Sequence, residues 1–326
     1  MKAMYKRGAL SVSLVVLAFL VLGTYGHAAQ PYFLKVGSGY AGTYPIFCGK
    51  LVELINKEIP AVKASAQPGG TEATMVRIQK GEMQMGIGYT FLSSLVSQGK
   101  GALKVKAAKL RHLMSLYGSA LQVAARKKSG VTDLTEVVKK PLRVYASKPG
   151  SVFYPLVKTS FEAYGITFDD IKKAGGLPNP MEYGDLVRMM QDGMIDIGFF
   201  SGPVPYSLIL ELEKNPGVNF VGFSGEALSR YNELLPGTGN ITIPKGSYRT
   251  LNKDIRTVYV MNHLFISEDV PDEIAYKIAT VIDKHLPVFQ KLFAGAQEIS
   301  VEKGLLYNPI QVHPGALKFY REKGIK

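Results

Sequence analysis

The chain has 326 residues, 46% of them hydrophobic and 20% charged, with a formal charge of +13 and a single cysteine, Cys48. One cysteine excludes an internal disulfide framework, so an ordinary buried core must hold the fold, and this length supports one. The positive balance suits small anions, anionic membrane or nucleic acid. However, the lysines stand singly between acids and apolar residues, with no basic helix or basic–aromatic stripe, which argues against nucleic acid.

In chain order, the first segment reads as an export signal. Lys2, Lys6 and Arg7 form a basic start, residues 10–22 an apolar run too short to span a bilayer comfortably, and Gly26 and Ala28 the small residues of a cleavage site. Cleavage after Ala28 leaves 298 residues with a formal charge of +10 and places the mature chain in the periplasm; the alternative is an uncleaved anchor. No cysteine follows the apolar run closely enough for a lipid anchor.

A strand over 33–37 then leads into GSGYAGTYP (37–45) and a helix over 45–58. A strand over 62–67, the turn Pro68-Gly69-Gly70, a helix over 71–80 and a strand over 83–89 follow. The second half repeats the plan: strand 142–146, the loop SKPGS (147–151), helix 152–164, helix 183–192 and strand 195–200. QKGEMQMG (79–86) and QDGMIDIG (191–198) match at Gln, Gly and Gly with an offset of 112, and Gly42-Thr43 and Gly150-Ser151 stand 108 apart. Alternating strands and helices predict an α/β fold with parallel sheets and ligands at the strand C-terminal ends. The doubling predicts two lobes facing one cleft.

Gly37, Gly39 and Gly42 spell G-x-G-x-x-G, but a dinucleotide site needs an acid at the end of the second strand, and that strand ends at Gln67-Pro68. What survives is a glycine loop before a helix N-terminus, a place where backbone N–H groups attract an anion. Thr43 adds a donor and Tyr44 an aromatic wall. Thr71 is either the N-cap of its helix or a ligand contact, and the sequence leaves both open. Gly150 and Ser151 repeat the arrangement in the second half. The ligand-binding candidates are Tyr40, Gly42, Thr43, Tyr44, Gly70, Thr71, Tyr89, Thr90, Gly150, Ser151, Tyr183, Phe200 and Ser201. Lys148 is either a ligand partner or a solvated surface charge.

The order VGSGYAGTYP, PGGTEATMVRIQKGEMQMGIGY, LQVAARKKSGVTDL, SKPGS, DGMIDIGFF and HPGALKFYRE resembles the TAXI-type solute receptors over essentially the whole mature chain. These are the extracytoplasmic binding proteins of one branch of the TRAP (tripartite, ATP-independent) transporters. The resemblance implies a periplasmic binding protein-like fold of two α/β lobes, no cofactor, and transfer of a small organic anion to an ion-coupled membrane permease. It also implies carboxylate, dicarboxylate or glutamate-like ligands. Gly42, Thr43 and Tyr44 match the family's GTY loop, Gly69, Gly70 and Thr71 its GGS/T turn, and Pro149, Gly150 and Ser151 its second-lobe loop. Departures are Pro45 for a second tyrosine, Ala73 for an asparagine, and Gly88-Tyr89-Thr90 for a polar run. They disfavour glutamate itself and favour a less polar or aromatic acid beside Tyr40, Tyr44, Tyr89 and Phe200.

The expected domains are lobe I over 29–124 and 262–326, and lobe II over 125–261, with a hinge near 121–128 and 258–267 and C-terminal helices from Asp272 packing on lobe I. His263 reads as a buried strand histidine, His313 as a turn residue, and Asp169-Asp170 as a helix-start pair. No nucleophile–base spacing or metal-ligand cluster is visible, so the chain reads as a monomeric binding protein and not an enzyme. A ligand-sensing surface protein, needing the same cleft, is the alternative.

Overall fold

Residues 30–40 and 42–325 are described by the computed structural model, and the expected export signal lies outside them. Strand β1 (Tyr32–Gly37) is followed by α1 (Thr43–Glu58), β2 (Val62–Gln67), α2 (Thr71–Gln79), β3 (Met85–Tyr89) and α3 (Thr90–Ser97). Then comes the long β4 (Leu110–Arg126), whose 17 residues are almost all buried. The second half carries β5 (Arg143–Tyr145), α4 (Phe153–Glu162), α5 (Phe168–Lys173), β6 (Leu177–Asn179), α6 (Leu186–Gln191), β7 (Ile197–Gly202), α7 (Ser207–Lys214), β8 (Val218–Val221), α8 (Gly225–Leu234) and β9 (Thr238–Ile243). Strand β10 (Ile255–Ser267) runs back, and α9 (Asp272–Lys284), α10 (Leu286–Phe289) and α11 (Pro314–Glu322) close the chain.

The strands form one ten-stranded sheet in the order β2-β1-β3-β10-β4-β7-β5-β6, with β8 on β4 and β9 on β10. Here the structure departs from the expected parallel sheets. The pairs β1–β3, β5–β6 and β5–β7 are parallel, whereas β4 and β10 are antiparallel to each other and to β3 and β7. The two antiparallel strands are the runs LRHLMSLYGSALQVAAR and IRTVYVMNHLFIS, each buried along nearly its whole length, as in a strand covered on both faces. Each run continues through both halves. On β10, residues 262–266 pair with β3 and residues 255–260 with β9. The register between β4 and β10 shifts at Met261/His263 and again at Leu264/Phe265.

The internal repeat has a structural meaning. In both copies a helix ends, a glycine turns the chain in the left-handed region (Gly81 at φ 76°, Gly193 at φ 74°), and a buried strand follows. Only glycine adopts that conformation without a steric penalty. Asp196, just before β7, locks the second copy. It accepts from Arg143 Nε (2.9 Å), Nη2 (2.8 Å) and the Arg143 backbone N–H (2.9 Å). Burial alone raises its pKa, but the hydrogen bonds to Arg143 prevail and hold it below the usual carboxylate value. The fork joins β5 to the start of β7. In the C-terminal segment α9 packs on α1 and α11, as expected for helices folding back on the first half. The lone Cys48 is fully buried in α1, and burial pushes its thiol up to about 12. No helix among the described residues is long and apolar enough to cross a membrane.

Candidate functional site

A cleft of about 1210 Å³ opens between the two halves of the sheet. Gly42, Thr43, Tyr44, Gly70, Thr71 and Tyr89 line it from one side, and Gly150 and Ser151 from the other. Each glycine loop stands where its local chemistry requires. Gly42, at φ 74° and ψ −144°, is the N-cap of α1, without a side-chain cap. Gly150, at φ 88°, precedes α4. Both loops present helix starts at the cleft wall, the positive end of the helix dipole.

Several side chains are already committed to the scaffold. Thr43 Oγ1 lies 2.6 Å from the Tyr117 hydroxyl on β4. The Tyr44 hydroxyl donates to Asn262 Oδ1 on β10 at 2.5 Å, and Asn262 Nδ2 donates to the Tyr117 carbonyl at 2.9 Å. The loop at the cleft is thus tied to both long strands. Burial drives the pKa of Tyr44 and Tyr117 upward, so both are neutral hydrogen-bonding groups. Tyr89 packs edge-on to Tyr44 at 6.4 Å and stacks on Phe91 at 5.5 Å. Ser151 Oγ accepts from the Phe153 N–H at 3.1 Å, inside the first turn of α4, and lies 2.9 Å from Ser147 Oγ. Ser147 is one of the non-glycine residues at positive φ, 57°.

Thr71 is not an N-cap: Gly70 occupies that position, Thr71 is the first helical residue, and no side-chain cap bond forms. Its methyl instead fills the space a Cβ at Gly88 would need, 2.2 Å away. Tyr40 is 78% exposed, its ring edge near Gly70. Thr90 is fully buried at the start of α3, with its hydroxyl directed at the Gly237 and Met261 carbonyls. Phe200 is fully buried beside Tyr183. Neither Thr90, Tyr183, Phe200 nor Ser201 lines the cleft. Lys148 pairs with Glu182 at 2.8 Å on the surface.

The sequence reading missed Tyr117 and Asn262, and also the segment over 100–104, which lines the first side of the cleft. The Leu103 N–H donates to Glu72 Oε1 at 2.7 Å, which fastens this segment to the start of α2. Lys100 and Lys104 stand there without an ion pair among the described residues. On the far side Lys158 is paired with Glu162, and Leu234 and Leu235 complete the rim. The one advance signal was Asn262, a polar residue inside an apolar strand.

A second polar cluster joins the long strands. His263 Nε2 lies 2.7 Å from Ser93 Oγ, His263 Nδ1 lies 2.9 Å from His112 Nδ1, and His112 Nε2 lies 2.7 Å from the Gly304 carbonyl. A carbonyl only accepts, so His112 carries its proton on Nε2 and accepts at Nδ1 from His263, which accepts from Ser93. This Ser–His–His row is fully buried, so no substrate reaches it in this structure. His313, expected in a turn, is the N-cap of α11 and accepts from the Gly315 N–H at 3.2 Å. Asp170 forms a capping box with Thr167 at the start of α5. No metal-ligand group is found among the described residues.

The profile of the NMT1-like family matches residues 37–324. Among solved structures, XAC2383 from Xanthomonas citri bound to ATP is 10% identical over 90% of this chain and 95% of its own, with a TM-score of 0.51. The alkanesulfonate-binding protein SsuA from Xanthomonas axonopodis pv. citri, bound to MOPS, is 15% identical over 87% and 86%, with a TM-score of 0.45. A TctC solute binding protein from Polaromonas is 12% identical over 78% and 83%, with a TM-score of 0.49. At 10% identity the likeness to XAC2383 is one of fold alone, a mixed α/β architecture.

Proposed function

From the premise that this chain belongs to the NMT1-like family, we propose that it is an extracytoplasmic receptor for a small organic anion. The observation that carries this reading is the cleft itself: glycine loops heading α1 and α4 stand on its opposite walls, with Thr43 on one and Ser151 on the other. Lys100 and Lys104 at the rim add a positive field. The solute is a carboxylate, in the range from dicarboxylates to glutamate-like and aromatic acids.

In this account residues 29–124 and 262–326 form lobe I and residues 125–261 lobe II. β4 and β10 cross between them, and the register shift at Met261/His263 marks the bending zone. Solute touching both walls binds the closed form better than the open one and shifts the population by that difference. Micromolar affinity, about −8 kcal/mol, suffices for capture and still permits release. Delivery is to an ion-coupled permease of the TRAP type, as the resemblance of the glycine loops to those of TAXI-type receptors implies. The receptor then works as a periplasmic monomer with its signal removed.

Native mass spectrometry of the purified full chain, with release and identification of any bound molecule, tests this. A one-to-one organic acid adduct is expected. An adduct-free mass, together with no thermal shift across mono- and dicarboxylic acids, would overturn the reading.

A further inference from the structure

Between α3 and β4 the chain makes a detour whose residues 100–104 all line the cleft. The base of this strap is fixed. The Lys100 N–H donates to the Leu95 carbonyl at 2.8 Å, the Lys104 N–H to the Gly101 carbonyl at 3.2 Å, and the Ala107 N–H to the Val96 carbonyl at 3.0 Å. Gly101 is buried against Glu72: a Cβ there would lie 2.4 Å from Glu72 Oε1, the atom that accepts from the Leu103 N–H. The tip, Ala102, Leu103 and Lys104, is exposed.

That tip reaches the opposite wall. A Cβ built on Gly150 would lie 3.9 Å from Ala102 Cβ, an ordinary van der Waals contact. The strap comes from the first half of the chain, so it stands directly against the glycine loop that heads α4 in the second. Both loops hold a non-glycine residue in the left-handed region, Lys104 at φ 54° and Ser147 at φ 57°. Such a conformation carries a steric cost and persists where the surrounding structure enforces it, characteristically at ligand clamps.

The charges along the cleft are unevenly committed. Its lining cations among the described residues are Lys100, Lys104 and Lys158, and its lining acids are Glu72 and Glu162. Lys158 pairs with Glu162, and Glu72 is engaged by the strap backbone. The cleft hydroxyls are engaged as well, Thr43 with Tyr117 and Ser151 with the Phe153 N–H. A carboxylate leaving water needs a cation or several hydrogen bonds in exchange, and the cations still free to supply that exchange both lie on the strap. We infer that Lys100 and Lys104 pair directly with the anionic group of the solute, held by the strap against the α4 glycine loop, and so are the residues that select a charged solute. This rests on the receptor reading above and deepens it: the lysines are contact residues, not a diffuse field at the rim.

The test is calorimetric titration of the full chain with glutarate, L-glutamate and phenylacetate. Each acid that binds the wild type should bind the double variant Lys100→Gln/Lys104→Gln about tenfold more weakly, since a partly exposed ion pair is worth up to about fivefold. Lys106→Gln is the control. It removes the same charge from an exposed residue just beyond the strap that does not line the cleft, and its affinity should be unchanged. The ligand-free melting temperatures of all variants should match the wild type, because neither strap lysine holds an ion pair among the described residues. Wild-type affinity in the double variant, or an equal loss in Lys106→Gln, overturns the inference and leaves the receptor reading standing. Binding of none of the three acids to the wild type overturns the receptor reading together with the inference.

Discussion

Lowering the pH from 7 to 5 is expected to cost the protein at least about 2 kcal/mol of stability through the histidine pair joining β4 and β10. Burial pushes His112 down to about 4, only partly offset by its bond to the Gly304 carbonyl. Burial and the neighbouring His112 push His263 well below its ordinary value. In the unfolded chain both rings titrate near pH 6.5. Between that pH and about 4 the unfolded state therefore binds more protons than the folded one. The contribution is fully present above the unfolded pKa and is lost as the pH falls toward the folded value. For His112 alone, the linkage relation gives ~2 kcal/mol between pH 7 and 5, and His263 and His313 act in the same direction. The carboxylates with lowered pKa, such as Glu136 at about 2 and Asp196, lose their contributions chiefly below this window. Urea unfolding at pH 7, 6 and 5 measures the loss, and ring-proton NMR identifies the histidines. Stability unchanged across the window, or a His112 resonance titrating near pH 6.5, would refute the reasoning.

Asp196→Asn should destabilise the second half by about 3 kcal/mol, because Arg143 and Arg126, the latter 3.5 Å from Asp196 Oδ1, lose a buried partner; denaturant unfolding at pH 7 measures it. Gly315→Ala should cost roughly 1–3 kcal/mol, since the new Cβ would lie 2.0 Å from the Asp272 carbonyl oxygen where α11 begins against α9; its melting temperature should fall while the fold persists. Thr43→Ala and Ser151→Ala should each weaken binding of the released solute about tenfold with a stability loss near 1 kcal/mol from the orphaned hydroxyl or N–H, and wild-type affinity in both variants would remove these residues from the site.

How much of this was legible in the sequence depended on the range of the contacts. The glycine loops at 42 and 150 and the repeated helix–glycine–strand unit could be read because a positive-φ glycine between a helix and a strand is a local signal. Their convergence followed from the doubling of the unit. Thr71 was legible only as a choice between cap and contact, because cap position is decided by one residue of helix register. The sheet was misread at its centre: buried runs as long as β4 and β10 carry no alternation to reveal their direction.

The partners of the site residues were not legible at all. Thr43 meets Tyr117 across 74 positions, Tyr44 meets Asn262 across 218, and His112 meets His263 across 151. These pairings exist only because two long strands run antiparallel through both halves. Likewise, the segment over 100–104 has no motif of its own and reaches the cleft through one backbone bond to Glu72.

Closure of the two halves on a solute shortens the distance across the cleft. Leu103 and Leu234 line opposite sides of the cleft and are 53% and 46% exposed. Cys48 is fully buried with a thiol pushed up to about 12, so spin labels on Leu103→Cys and Leu234→Cys would report alone. Pulsed electron resonance between them, with and without the acid recovered from the protein, is the most direct measurement. A ligand-dependent shift of the population toward a shorter distance is predicted. An identical distance distribution at saturating acid would contradict the account.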